Sequence, residues 1–225
     1  MHSLIAACVA FVGTHFLLSH PLRAPLVARL GEPGFLGVYS LVAFATFGWI
    51  VLAWQRVPDQ EPLWLVGDGL WALASLITLL ASVLFVGSLI GNPALPQASG
   101  DASPVPEATG VFAVTRHPMM WGFALWGAAH AIVAPTPESF VLTGTIAGLA
   151  LVGAALQDRK KARLRPVFWP TWQARTGYWP FARRGRFASA RGWLALVGGA
   201  ALWLAATWAH IPLTGWAAGP WRWIG

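Results

Sequence analysis

Charge is scarce in this 225-residue chain: only 10% of its residues are Asp, Glu, Lys or Arg, and just eight of them are acidic. A soluble domain of this size carries roughly 25% charged residues, so the deficit excludes an ordinary water-facing surface. There is one cysteine, Cys8, which excludes an internal disulfide and any multi-cysteine metal site and predicts a small buried apolar side chain. No internal repeat is visible, which excludes a solenoid, and no polar stretch is long enough for a second domain. What fills the chain is apolar: 56% hydrophobic residues with fifteen Trp and a positive mean hydropathy. These features predict a single all-α domain over 1–225, a polytopic membrane bundle.

A helix needs about 20 mainly apolar residues to cross a bilayer. Six runs qualify, at about 3–19, 35–54, 63–90, 118–134, 140–157 and 193–210. The longest connection, 91–114, contains "GNPALPQASGDASPVPEATG" and has no periodicity of its own. Of the fifteen Lys and Arg residues, ten fall between Arg159 and Arg191. Short basic loops are retained in the cytoplasm, so segment 158–192 is predicted to be cytoplasmic and both termini periplasmic, in a bacterial inner membrane. The sequence pI of ≈ 11.1 would also suit nucleic acid. The basic residues, however, alternate with Trp169, Trp172, Tyr178, Trp179, Phe181 and Phe187, a pattern expected of an amphipathic segment lying on an anionic leaflet. The expected partner is the lipid bilayer, with no nucleic acid. The N-terminus has no basic residue before its apolar run, and the first span is expected to be retained rather than cleaved as a signal.

Polar groups are costly inside a bilayer and usually face the bundle interior, so His15, Asp68 and His130 are candidate functional residues by position. Each has a bland reading. A buried neutral His can simply hydrogen-bond to a neighbouring helix, and Asp68 in "VGDGLW" suits a helix start near the outer surface. In "TRHP", Thr115 can cap a helix, Pro118 fits its first turn, and Arg116 can anchor in the headgroups beside His117. His2 and His20 fall at interfaces, where an imidazole costs little. His117 and His130 are thirteen residues apart, about 20 Å of rise and about 220° of rotation on one helix, so they cannot share a ligand. A partner for His130 must come from another span. With eight acidic residues in the chain and only Asp68 inside a predicted span, the sequence argues against a hard-metal or di-iron carboxylate site. Imidazoles from two helices instead suit axial ligation of haem iron.

The stretches "FVGTHFLLSHPLR" (11–23), "LGEPGFLGVYSLVAF" (30–44) and "TRHPMMWGFALWGAAH" (115–130) resemble the NnrU family of bacterial membrane proteins, over nearly the whole chain. That family is named for an association with nitrite and nitric oxide metabolism. Its plant relative, the zeta-carotene isomerase, holds haem b between two histidines. The resemblance implies haem b, His15 and His130 as iron ligands, and a redox or isomerase-like role on a small lipophilic or gaseous substrate. His15 matches across a one-residue gap, with Arg23, Gly31 and Glu32 following, and His20 competes with it. The isomerase has a cysteine where this chain has Gly127, so its proposed ligand exchange does not carry over. Span depths set His15 and His130 roughly 13 Å apart along the membrane normal, and make His210 in "WAHIPL" the rival second ligand. Arg23, Arg116 and the run from Arg159 to Arg165 could bind haem propionates or lipid phosphates equally well.

"RHPMMWG" followed by "LQDRKKARL" and "WQARTGYWPF" is similar to the isoprenylcysteine and phospholipid methyltransferases, which bind S-adenosylmethionine. This implies that Arg116 and His117 would hold the cofactor's carboxylate. Met120 replaces the family's aromatic residue, and the paired acid is reduced to Asp158 after Gln157. Three function classes therefore follow: a haem-binding membrane enzyme, an S-adenosylmethionine-dependent methyltransferase, and a non-catalytic membrane subunit or assembly factor whose histidines are structural.

Overall fold

The computed structural model describes residues 1–94, 101 and 103–224. The centre of the long connection, at 95–100 and 102, lies outside the described residues. The helices, in chain order, are α1 (His2–Ser19), α2 (Arg23–Trp54), α3 (Asp68–Ser88), α4 (Pro118–Val133), α5 (Pro137–Leu164), α6 (Phe168–Arg175), α7 (Ala190–Thr214) and the single turn α8 (Trp221–Ile224). A 3-10 turn at Gly110–Ala113 precedes α4, and no strand occurs among the described residues. The protein is all-helical, as its composition requires.

Five helices, α1, α2, α3, α5 and α7, are long and apolar enough to cross a membrane. The sixth expected span, α4, has 16 residues. At 1.5 Å per residue it is about 24 Å long, short of the roughly 30 Å hydrocarbon core. Pro118 starts it and "APTP" at 134–137 ends it, because proline supplies no N–H to continue a helix. It nevertheless occupies the middle of the bundle, packed between α3 and α5. The packing order is α7, α3, α4, α5, α1, α2, a curved row in which each helix lies chiefly on its neighbours.

The second span differs most from its expected bounds. Helix starts at Arg23 rather than near 35, and Gly31 (φ 69°) breaks it two residues before Pro33. That positive φ costs glycine nothing, while Pro33 removes an N–H from the ladder, so the two together divide a short interfacial helix from a long transmembrane one. Asp68 opens α3, as expected of a helix-start acid, and pairs with Arg222 at 3.1 Å. Helix α5 runs unbroken past the apolar span to Leu164, so its Arg and Lys residues continue the same helix. Ser189 caps α7 by accepting the Gly192 N–H.

Large apolar side chains such as Leu41, Phe44, Leu76 and Val197 are exposed, which is the expected lipid-facing arrangement. Helices in lipid gain little from apolar burial alone, so close backbone approach carries the association. At Gly199 of α7 a Cβ would lie 2.5 Å from Val83 Cα of α3, closer than any side chain permits. Two apolar clusters flank the bundle. One joins Leu4, Ala7 and Cys8 of α1 to Ile50 and Ala53 of α2, and Cys8 is buried there as its apolar character predicts. The other lies at the basic end and contains Phe112, Phe168, Trp169 and Trp172. Trp169 and Trp172 were expected to rest on the leaflet, but α6 turns them inward onto Phe112 and leaves Trp179 and Phe181 exposed. An amphipathic pattern fixes which face is apolar; it does not say whether lipid or protein covers that face.

Candidate functional site

The chemistry-bearing residues fall into three places. The first is a half-open cavity of ≈ 1200 Å³ lined by α1, α2, α4 and α5. Its walls are apolar for most of their extent, with Phe35, Leu36, Ile146 and Leu149 among them. At the basic end the lining changes to His20, Arg23, Glu32, Gln157, Lys160 and Lys161. Arg23 and Glu32 form an ion pair across the Gly31 break. His15 lines the cavity one turn deeper than Ser19, its ring 4.2 Å from that of Phe11 and 5.4 Å from that of Tyr39.

His15 Nδ1 lies 2.7 Å from the Phe11 carbonyl on its own helix. A carbonyl only accepts, so Nδ1 carries a proton, and in the neutral form of the ring the lone pair is then on Nε2. His20, five residues on, has both ring nitrogens buried with no hydrogen-bond partner among the described residues. A buried polar group left in that state costs free energy, and a ligand in the same cavity would relieve it.

The second place is at the opposite end of the bundle. His130 on α4 and His210 on α7 approach to 6.3 Å between ring centroids, with planes 32° apart. Each donates Nδ1–H to the carbonyl four residues back, Trp126 and Ala206 respectively, at 2.8 Å. His130 also stacks at 4.0 Å on Trp126, whose other surroundings include the large cavity. The depth argument from sequence paired these two, and the structure brings them together. It does not join His15 to His130: the side chains of His15, His20 and Arg23 line the cavity, and that of His130 faces His210. Gly127, the position of the isomerase cysteine, faces α5, where a Cβ would stand 3.0 Å from the Thr143 carbonyl.

The third place is a buried ionic knot. Asp158 accepts from Arg116 Nε at 2.8 Å, from His117 Nε2 at 2.9 Å and from Trp169 Nε1 at 3.2 Å. Arg116 Nη1 also reaches the Thr176 carbonyl. The side chains are 12%, 1% and 10% exposed for Arg116, His117 and Asp158. Thr115 does not cap α4 as expected. His117 takes the N-cap position, and the Thr115 hydroxyl donates to the Tyr178 carbonyl at 2.7 Å while accepting from His117 N–H. Tyr178 packs on this knot and donates its phenol to the Leu151 carbonyl at 2.7 Å. Burial, reinforced by the Asp158 carboxylate, raises that phenol above its ordinary range. Arg116 and His117 are thus committed to a carboxylate of the chain itself. Any cofactor carboxylate at these residues would have to displace Asp158.

Sequence reasoning missed the Arg116–Asp158 link because the two residues are 42 positions apart. The available signal was that Asp158 is the only acid after Glu138, in the most basic part of the chain. Among the described residues, no group of three or more His, Cys, Asp or Glu side chains is arranged to hold a metal ion. That does not bear on a haem iron, whose protein ligands number one or two.

A bundle of membrane-crossing helices around an apolar cavity with histidine and cationic groups at one end defines a multi-pass membrane protein. The chain belongs to the NnrU family: the family described as "NnrU protein" matches residues 3–218. No curated protein and no solved structure matches it significantly.

Proposed function

We propose that the protein binds haem b in the cavity among α1, α2, α4 and α5, where His15 would hold the iron, and serves a redox or isomerase-like role linked to nitrogen-oxide or lipophilic-substrate metabolism. The observation that carries this reading is the His15 tautomer fixed by the Phe11 carbonyl, which leaves the Nε2 lone pair beside a ≈ 1200 Å³ apolar cavity. Small-ligand sites commonly measure about 300–1000 Å³, so this one is roomy enough for a macrocycle. The donor set fits the group. Imidazole Nε2 suits iron, Arg23, Lys160 and Lys161 suit two carboxylates, and Phe35, Leu36 and Ile146 exclude water. Haem b would supply a redox-active iron with an exchangeable coordination position. His20, in the same cavity and without a partner of its own, is the second candidate ligand or the hydrogen-bonding group for one carboxylate. His130 and His210 form the rival ligand pair.

The proposed setting is the bacterial inner membrane with the basic end cytoplasmic, following the Lys and Arg distribution. The test is a visible spectrum and pyridine haemochrome assay of the detergent-purified protein, repeated for His15→Ala, His20→Ala, His130→Ala and His210→Ala. The expected result is a haem b spectrum abolished by His15→Ala and retained in His210→Ala. Loss in His130→Ala and His210→Ala with retention in His15→Ala would move the site to the rival pair. A protein that stays colourless after expression with added haem ends the haem reading, and S-adenosylmethionine binding at His117 then becomes the property to measure.

A further inference from the structure

A second cleft lies at the basic end and shares no lining residue with the large cavity. It measures ≈ 370 Å³ and is lined by Arg175, Arg183, Arg184 and Arg186, with Glu107 as its one acid. Two loops and the C-terminal end of α6 form its walls, and hydrogen bonds tie them together. Gly110 N–H donates to the Arg186 carbonyl at 3.1 Å, Arg186 N–H to the Ala108 carbonyl at 3.3 Å, and Phe181 N–H to the Val114 carbonyl at 2.8 Å. Arg175 Nη1 donates to the Pro106 carbonyl at 3.2 Å as well as to that of Val105. At Gly185 a Cβ would lie 2.7 Å from Ala113 Cα, so the loops touch at the backbone.

The side chains of Arg183, Arg184 and Arg186 are exposed, and no ion pair among the described residues uses them or Arg175. Four guanidinium groups around one carboxylate leave an uncompensated positive field, which calls for an anion from outside the chain. The planar fork of arginine matches the oxygens of a phosphate. The cleft is too small for a dinucleotide or a whole lipid and suits a headgroup. Beside it, Trp179 and Phe181 are 63% and 79% exposed, and Phe181 holds a φ of 60° that a bulky residue rarely adopts. Exposed aromatic residues flanking arginines are the signature of the headgroup layer.

We propose that this cleft binds the phosphate of an anionic membrane lipid, clamped by Arg183, Arg184 and Arg186. The cleft does not use the haem cavity, and its test is read without haem. Native mass spectrometry of the full-length detergent-purified protein, titrated with phosphatidylglycerol, phosphatidylcholine or pyrophosphate, measures it. Phosphatidylglycerol is expected to bind about tenfold more tightly than phosphatidylcholine, and the Arg183→Gln/Arg184→Gln/Arg186→Gln variant to lose that preference with an unchanged melting temperature. Glu107→Gln is expected to tighten binding. The corresponding triple Lys variant keeps the charge and loses the forks, so it is expected to bind less well than the parent. Equal binding of the two lipids by the parent, or parental binding by the triple Lys variant, would overturn the clamp. Displacement of phosphatidylglycerol by micromolar pyrophosphate would overturn the lipid as the source of the phosphate.

Discussion

Asp158→Ala is expected to be the most destabilising single substitution at the basic end, lowering the melting temperature by on the order of 10 °C. The carboxylate is the common acceptor for Arg116, His117 and Trp169, and it is the only acid in the chain after Glu138. Removing it leaves the Arg116 guanidinium nearly buried, 12% exposed, with no counter-charge. Breaking a buried pair from one side costs about 3–5 kcal/mol, most of it the desolvation of the group left behind. Two further variants test that cause. Asp158→Asn preserves shape and some hydrogen bonding but not charge, and should fall between the two. Replacing both ends, Asp158→Leu with Arg116→Met, should recover much of the loss, because no charge is then stranded. A melt of Asp158→Ala within a degree or two of the parent would mean that water or lipid already satisfies the arginine. If the cavity holds haem as proposed, haem content per folded protein should not change, since Arg116, His117 and Asp158 do not line the cavity.

Gly199→Leu is expected to disrupt the bundle itself. The added Cβ would meet Val83 Cα at 2.5 Å and Val83 N at 2.7 Å, and backbone cannot step aside as a side-chain tip can. Helix α7 must lift from α3, and it would strain the Trp203 hydrogen bond to Thr78, 3.1 Å, four residues further along. Overpacking typically costs about 1–3 kcal/mol, and a whole Leu side chain at a backbone contact belongs beyond that range. Gly144→Leu is the control: it replaces an exposed glycine on α5 with open space around it, and should keep or slightly raise the melting temperature. Size-exclusion profile and melt together read the difference. Equal behaviour of the two variants would show that α3 and α7 do not depend on this contact. A displaced α7 would also draw His210 away from His130.

Helix positions were legible where apolar composition alone decides them, as in α1, α4 and α7, whose observed bounds lie within a few residues of the expected spans. They were less legible where polar residues continue a helix. Arg23 to Arg29 read as a loop because charge was treated as an end to the span, yet the helix runs through it to the Gly31 break. The charged end of α5 was missed for the same reason. Helix geometry is indifferent to the membrane surface; only transfer into hydrocarbon is sensitive to it. For the candidate site, the types of residue were legible and their grouping was not. His130 and His210 were matched by depth, which is a one-dimensional quantity that follows from the spans. Whether His15 faces α2 or α4 depends on rotation and packing order, which the spans do not encode. The commitment of Arg116 and His117 to Asp158 needed partners 42 and 41 residues away to meet.

The packing order has a consequence for how long the protein survives. Helix α2 lies on α1, and this hairpin joins the other helices chiefly through the contact of α1 with α5, across the large cavity. An occupant held by His15 and the cationic end would act as mortar between two masonry leaves, adding its binding free energy to the hairpin's attachment. If the cavity holds haem as proposed, then in a cell short of it the α1–α2 hairpin would be the first part to come away, exposing α5 to membrane proteases. Protein abundance would then follow ligand supply without any change in transcription, and protease-digestion half-lives with and without the ligand would record it.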